Sequence, residues 1–144
     1  MGKRRILKKQ GSGVDSGKRD RALSKLSKRQ IDRAVLYIES TYNNTKVTLS
    51  DTGGGAIMWS SSGSLGFTGN RKSTPFAAAK VGELIGDKAI QAGVTEAAVV
   101  IRGIGAGREA AVRAFSGKGV AITRIADETP VPHNGVRPPR ARRI

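Results

Sequence analysis

A three-layer α/β domain with a mixed five-stranded sheet is the fold that these 144 residues predict, and three observations carry it. Three short β-rich runs follow one another between residues 34 and 60 with turn residues between them, the pattern of an antiparallel meander. The pattern then changes to helix, strand, helix, strand, which adds two parallel right-handed crossovers to the meander. Finally, residues 129–144 read T-P-V-P-H-N-G-V-R-P-P-R-A-R-R-I and hold four of the five prolines. Each proline fixes φ and removes a backbone donor, so this end is extended and lies outside the sheet.

In chain order, residues 3–33 are dense in Lys and Arg with glycine and serine breaks, and read as a flexible arm. Residues 20–30 could form a short helix, though one of that length is marginal alone in water. The first two strands, 34–38 and 46–50, are joined by Thr41-Tyr-Asn-Asn-Thr45, whose asparagines suit a turn. Residues 51–55, D-T-G-G-G, turn the chain into a third strand over 56–60. A glycine-rich loop over 63–74 ends in Thr74 as N-cap and Pro75 at the first helical position.

From Phe76 to Ala92 the apolar residues Ala77, Val81, Leu84, Ile85, Ala89 and Ala92 recur at helical spacing, and Gly93 supplies the stop. Gly82 and Gly86 each cost about 1 kcal/mol inside a helix, which points to close packing on the sheet as compensation. A buried-type strand over 97–101, a glycine turn to Gly107, a helix from Arg108 to about Ser116 and a last strand over 120–125 complete the domain. The organisation expected is an arm over 1–33, a core over 34–128 and a tail over 129–144.

The net charge of +15 is unevenly placed. Residues 1–33 hold twelve Lys/Arg against three acids, the core ten against eight, and the tail four against none. Two basic ends on a balanced body suit electrostatic capture of nucleic acid. An acidic membrane would attract the same charge, but the arm has no sustained apolar face and no run spans a bilayer. Cysteine is absent, so disulfides and thiolate metal sites are excluded. The basic start lacks the apolar stretch of a secretory signal, and the cytoplasm is the expected compartment, a transit peptide being the alternative.

Three places could hold phosphate. Arg71, Lys72, Ser73 and Thr74 put two cations and two hydroxyls just before a helix N-terminus. The turn over 103–109, with Arg108 and Arg113 beyond it, could seat an anion; it departs from a dinucleotide fingerprint because position 108 is arginine. Either stretch could equally be an ordinary capped helix or a structural turn. The third place is the tail, where Arg137, Arg140, Arg142 and Arg143 have no carboxylate for company. Asn43 and Asn44 at the hairpin tip could touch a sugar or base edge. Asn134-Gly135 is prone to succinimide closure and isoaspartate.

Catalysis has little to work with. His133 is the single histidine, and Glu39, Asp51 and Asp127 are the only acids near strand ends, too few for a metal-dependent nuclease. Six aromatics do not make a stacking platform, and Trp59 and Phe115 read as core.

Four stretches together carry a resemblance: Y-N-N-T (42–45), G-N-R-K-S-T-P-F-A-A (69–78), G-A-G-R-E with A-V-R-A (105–109 and 111–114), and D-E-T-P-V-P-H-N-G-V-R-P-P-R-A-R-R-I (127–144). They resemble the universal family of small-subunit ribosomal protein S11, in the bacterial or organellar form, over residues 33–144. The resemblance implies a ribonuclease-H-like topology without nuclease activity, seated on the subunit platform and bound to the central domain of 16S ribosomal RNA near the messenger RNA exit. It implies neighbouring platform proteins as partners, and no cofactor, metal, membrane or homo-oligomer. The RNA-facing residues would be Asn43, Asn44, Arg71, Lys72, Ser73, Thr74, Arg108, Arg113, His133, Asn134, Arg137, Arg140, Arg142 and Arg143. Ile104 stands where the family usually has proline, and Val136 where cysteine is common.

Overall fold

A computed structural model describes residues 30–143 and the single helical position Gly17. The expected arm over 1–33 and the short helix over 20–30 fall almost wholly outside the described residues. Five strands form one sheet: β1 (Arg33–Ser40), β2 (Thr45–Asp51), β3 (Ala56–Ser61), β4 (Glu96–Gly103) and β5 (Ala121–Asp127). Their order across the sheet is β3-β2-β1-β4-β5. The β1/β2 and β2/β3 pairs are antiparallel, whereas β1/β4 and β4/β5 are parallel. The mixed five-stranded α/β sheet is therefore as the pattern predicts.

Helix α1 (Pro75–Gln91) links β3 to β4, and α2 (Arg108–Ser116) links β4 to β5. Thr74 caps α1 by accepting from the Ala77 N–H, Pro75 opens it, and Gly93 ends it at φ +85. The six apolar residues of the periodic pattern are all buried. Alternation places Leu36, Ile38, Val47, Leu49, Val99 and Ile101 on the same sheet face, under the helices.

The two helices pack against each other, and hence lie on one face of the sheet. Both crossovers step the same way across the sheet, and two steps of one hand in one direction put both helices on the same side. The third layer of the α/β/α expectation is thus not built by the described residues. The helix glycines follow suit: a Cβ on Gly82 would meet the Ala111 carbonyl, and one on Gly86 the Lys118 side chain. Their compensation is the close approach of α2, rather than of the sheet. Phe115 is core as expected, but Trp59 is 59% exposed, because it sits opposite Thr48 on the sheet face away from the helices.

Candidate nucleic-acid interface

Strands β1, β3, β4 and β5 run in one direction, so their carboxyl ends share one end of the sheet with the start of β2. Both helices begin there, and so does the tail. Topology therefore gathers at one end four stretches far apart in sequence: the hairpin tip at 41–44, the loop before α1, the 104–107 turn and the tail's root. In open α/β sheets this is the end at which loops are free to bind ligands.

The 103–107 turn locks against the hairpin and the first turn of α1 through its glycines. A Cβ on Gly105 would collide with the Thr41 carbonyl and the Ser40 hydroxyl, and one on Gly107 with the Thr45 hydroxyl and Ala78. The Gly105 N–H donates to the Ser40 carbonyl at 2.9 Å. Close packing against the hairpin thus accounts for the glycines of the 103–107 turn. Within the hairpin, the Asn43 and Asn44 N–H groups both donate to the Thr41 hydroxyl. Asn43 is exposed, whereas Asn44 turns its Oδ1 inward, away from solvent.

Before α1 the chain winds into a 3-10 turn, Gly69–Ser73. The Ser73 hydroxyl donates to the Asn70 carbonyl and the Thr74 hydroxyl to that of Arg71, so both hydroxyls serve the local fold. Arg71 and Lys72 form no ion pair among the described residues.

Charge pairing sorts the remaining cations. Arg33 pairs with Glu96, Lys46 with Glu39, Lys80 with Glu83, Arg102 with Glu128 and Lys118 with Asp87. Arg108 also stays within the protein: its side chain is 29% exposed, and its guanidinium donates to the Gly103 carbonyl at 2.6 Å and to the Asp127 carboxylate. Arg113 pairs with Glu109 at 3.3 Å, but both side chains are 81% exposed. Such an exposed pair contributes little to stability. In the tail, Arg137, Arg140, Arg142 and Arg143 have no carboxylate partner among the described residues, and His133 to Arg143 are all exposed. Asn134 takes the left-handed conformation, φ +58, and marks the bend that Asn-Gly predicts.

The pairing also brings out a cation that sequence reasoning missed. Arg124, on edge strand β5, is exposed and has no ion pair among the described residues. Nothing in the sequence distinguishes it from the paired Arg102, because the partners come from other strands. Apart from the buried Lys88, the uncommitted cations among the described residues are therefore Arg71, Lys72, Arg124 and the tail arginines, most of them at the carboxyl end.

At the other end of the sheet the sign reverses. A cleft of about 1150 Å³ is lined by Asp32, Asp51 and Glu96, with Arg33 the single cation among the described residues. Asp51 accepts the Gly55 N–H at 2.7 Å and so closes the β2/β3 turn. Among the described residues no three His, Cys, Asp or Glu side chains are grouped to hold a metal ion, and no helix is long and apolar enough to cross a membrane.

A family model for ribosomal protein S11 matches residues 34–143, which takes in the whole described domain and the tail. The chain belongs to the ribosomal protein S11 family. It is accordingly a structural constituent of the small ribosomal subunit that binds ribosomal RNA. Membership places the protein in the ribosome. The arginines of the matched tail, like Arg71, Lys72 and Arg124, have no carboxylate partner among the described residues.

Proposed function

We propose that this S11 protein sits on the platform of a bacterial-type small subunit in the cytoplasm, docked on the central domain of 16S ribosomal RNA near the messenger RNA exit. The core over 34–128 is the docking body, and the tail over 129–144 and the arm over 1–33 thread into the RNA and order on binding. Neighbouring platform proteins pack beside it. One observation carries this reading: every tail arginine is exposed and without an internal carboxylate, at the end of the sheet that also presents Arg71, Lys72 and Asn43. Arginine's planar fork suits phosphate, and release of counterions supplies the driving force.

Reconstitution of small subunits from the full chain tests it, with footprinting of the 16S central domain. Arg137→Ala and Arg140→Ala are expected to weaken incorporation, and Glu96→Ala, at the acidic end, to leave it unchanged. Equal effects from the two ends would place the RNA face wrongly. Native protein that failed to co-sediment with small subunits would point instead to a free nucleic-acid-binding or chaperone-like protein. Asn134 is further proposed as a site of isoaspartate, favoured by Gly135 and by its exposure; peptide mapping that returns only asparagine from assembled particles would remove that assignment.

A further inference from the structure

Arg108 is the one cation of the matched motifs that the protein spends on itself through two separate acceptors. We propose that Arg108 and Asp127 form a latch that fixes the root of the tail, so that Arg108 supports RNA binding by aiming the tail rather than by touching a phosphate. The inference rests on the reading that the tail binds ribosomal RNA.

The latch is built from three consecutive residues at the end of β5. Asp127 takes the Arg108 guanidinium on Oδ2 and accepts from Thr129 on Oδ1, from the N–H at 3.0 Å and the hydroxyl at 2.6 Å. The Thr129 hydroxyl also lies 3.4 Å from the Gly103 carbonyl, the acceptor that Arg108 uses at 2.6 Å. Between them, the Glu128 N–H donates to the Ile101 carbonyl at 2.9 Å, and the Glu128 carboxylate pairs with Arg102 at 2.8 Å. Residues 127–129 are thereby tied to the last residues of β4 and the first of α2.

Pro130 follows at once, and Pro132 two residues later. Each fixes its own φ and biases the residue before it towards extended conformations. A stiff segment on a fixed root keeps its direction, so the arginines that follow sample a smaller volume and less entropy is lost when RNA orders them. The arrangement also accounts for a carboxylate at the gateway of a cationic tail. Asp127 faces Arg108, and its charge is matched within the protein instead of opposing the RNA.

The test uses the full chain and a transcript of the 16S central domain at fixed salt, with six proteins: wild type, Asp127→Ala, Arg108→Ala, the two combined, a tail-neutralised form carrying Ala at 137, 140, 142 and 143, and that form with Asp127→Ala added. Asp127→Ala and Arg108→Ala are each expected to lower affinity by about fivefold, with no further loss when combined. Adding Asp127→Ala to the tail-neutralised form should change nothing, since there is no charged tail left to aim. Backbone relaxation by NMR in the free protein should show residues 130–136 more mobile in Asp127→Ala than in wild type, while the folded core over 34–126 relaxes alike in both.

If Asp127→Ala bound as well as wild type or better while Arg108→Ala bound worse, Arg108 would be a phosphate ligand and the latch would be overturned. An equal loss from Asp127→Ala in the tail-neutralised background would overturn it too, since the effect would not run through the tail. A tail-neutralised protein that bound like wild type would instead sink the RNA reading of the tail, and the latch with it.

Discussion

The two ends of this sheet are made of the same strands and have opposite chemistry. At the carboxyl end, loops from four parts of the chain meet, the 103–107 turn packing on the hairpin through its glycines, and Arg71, Lys72 and the tail arginines have no acidic partners among the described residues. At the other end, Asp32, Asp51 and Glu96 surround an open cleft with Arg33 as its single cation among the described residues. Among the described residues, most of the exposed cations without an ion pair thus gather at one end. The lesson is that net charge locates no binding surface until pairing is known. Ion pairs remove six of the core's ten cations from consideration, and most of the exposed ones left lie at the carboxyl end.

The sharpest way to break that comparison is to neutralise one end at a time. Replacing Arg137, Arg140, Arg142 and Arg143 by alanine should lower affinity for the 16S central-domain transcript by about a hundredfold near physiological salt. The slope of log K against log salt should shrink by about 3. Glu96→Ala should move neither quantity, as filter binding over a salt series would show.

A second contrast lies between the glycines of the two ends. Gly105→Ala forces a Cβ onto the Thr41 carbonyl and should cost roughly 1–3 kcal/mol as overpacking, while also displacing the hairpin tip and weakening RNA binding. Gly54, at φ +88 in the distal turn, has open space around it. Gly54→Ala should cost about 1 kcal/mol from backbone strain alone and leave RNA binding intact. Urea unfolding together with the binding assay separates the two.

Lys88, in the last turn of α1, offers a smaller effect. It is buried, and desolvation pushes its amine below the usual lysine range. Because the unfolded chain holds that proton more tightly, the group opposes folding at neutral pH, and the penalty lifts as pH rises through the lowered pKa towards 10.5. Lys88→Met should raise the melting temperature by about 2 °C at pH 7 and by less at pH 10.

The smallest effect belongs to Asp127. The Thr129 hydroxyl, then Arg108, then the Thr129 N–H hold its carboxyl down at about 2, against an ordinary 3.8. A depressed carboxylate stabilises the fold fully above its unfolded value, and the contribution is lost as pH falls from 3.8 through about 2. A carboxyl carbon titration by NMR should find the midpoint near 2 in wild type and closer to 3.8 in Arg108→Ala.

Much of this was legible in one dimension. Strand and helix bounds, the Thr74 cap, the Gly93 stop and the bend at Asn134 follow from local chemistry, and local chemistry is what a sequence displays. Trp59 was not legible: Ala56, Ile57, Met58 and Trp59 are apolar in succession, so alternation cannot say which face each one takes. The bonding of β3 to β2 decides it, putting Met58 inward and Trp59 outward.

By itself, then, the sequence determined where the chain is strand, helix or extended, and that its tail carries cations with no acid among them. Only the tertiary structure decided that both helices share one face, that Gly82 and Gly86 serve helix contact, and that Arg108 is bound by Asp127 while Arg71 and Lys72 are not. The division has a single physical cause. Backbone preference acts over a few neighbouring residues, whereas an ion pair such as Arg108 to Asp127, or Arg102 to Glu128, joins residues that only the register of the sheet brings together.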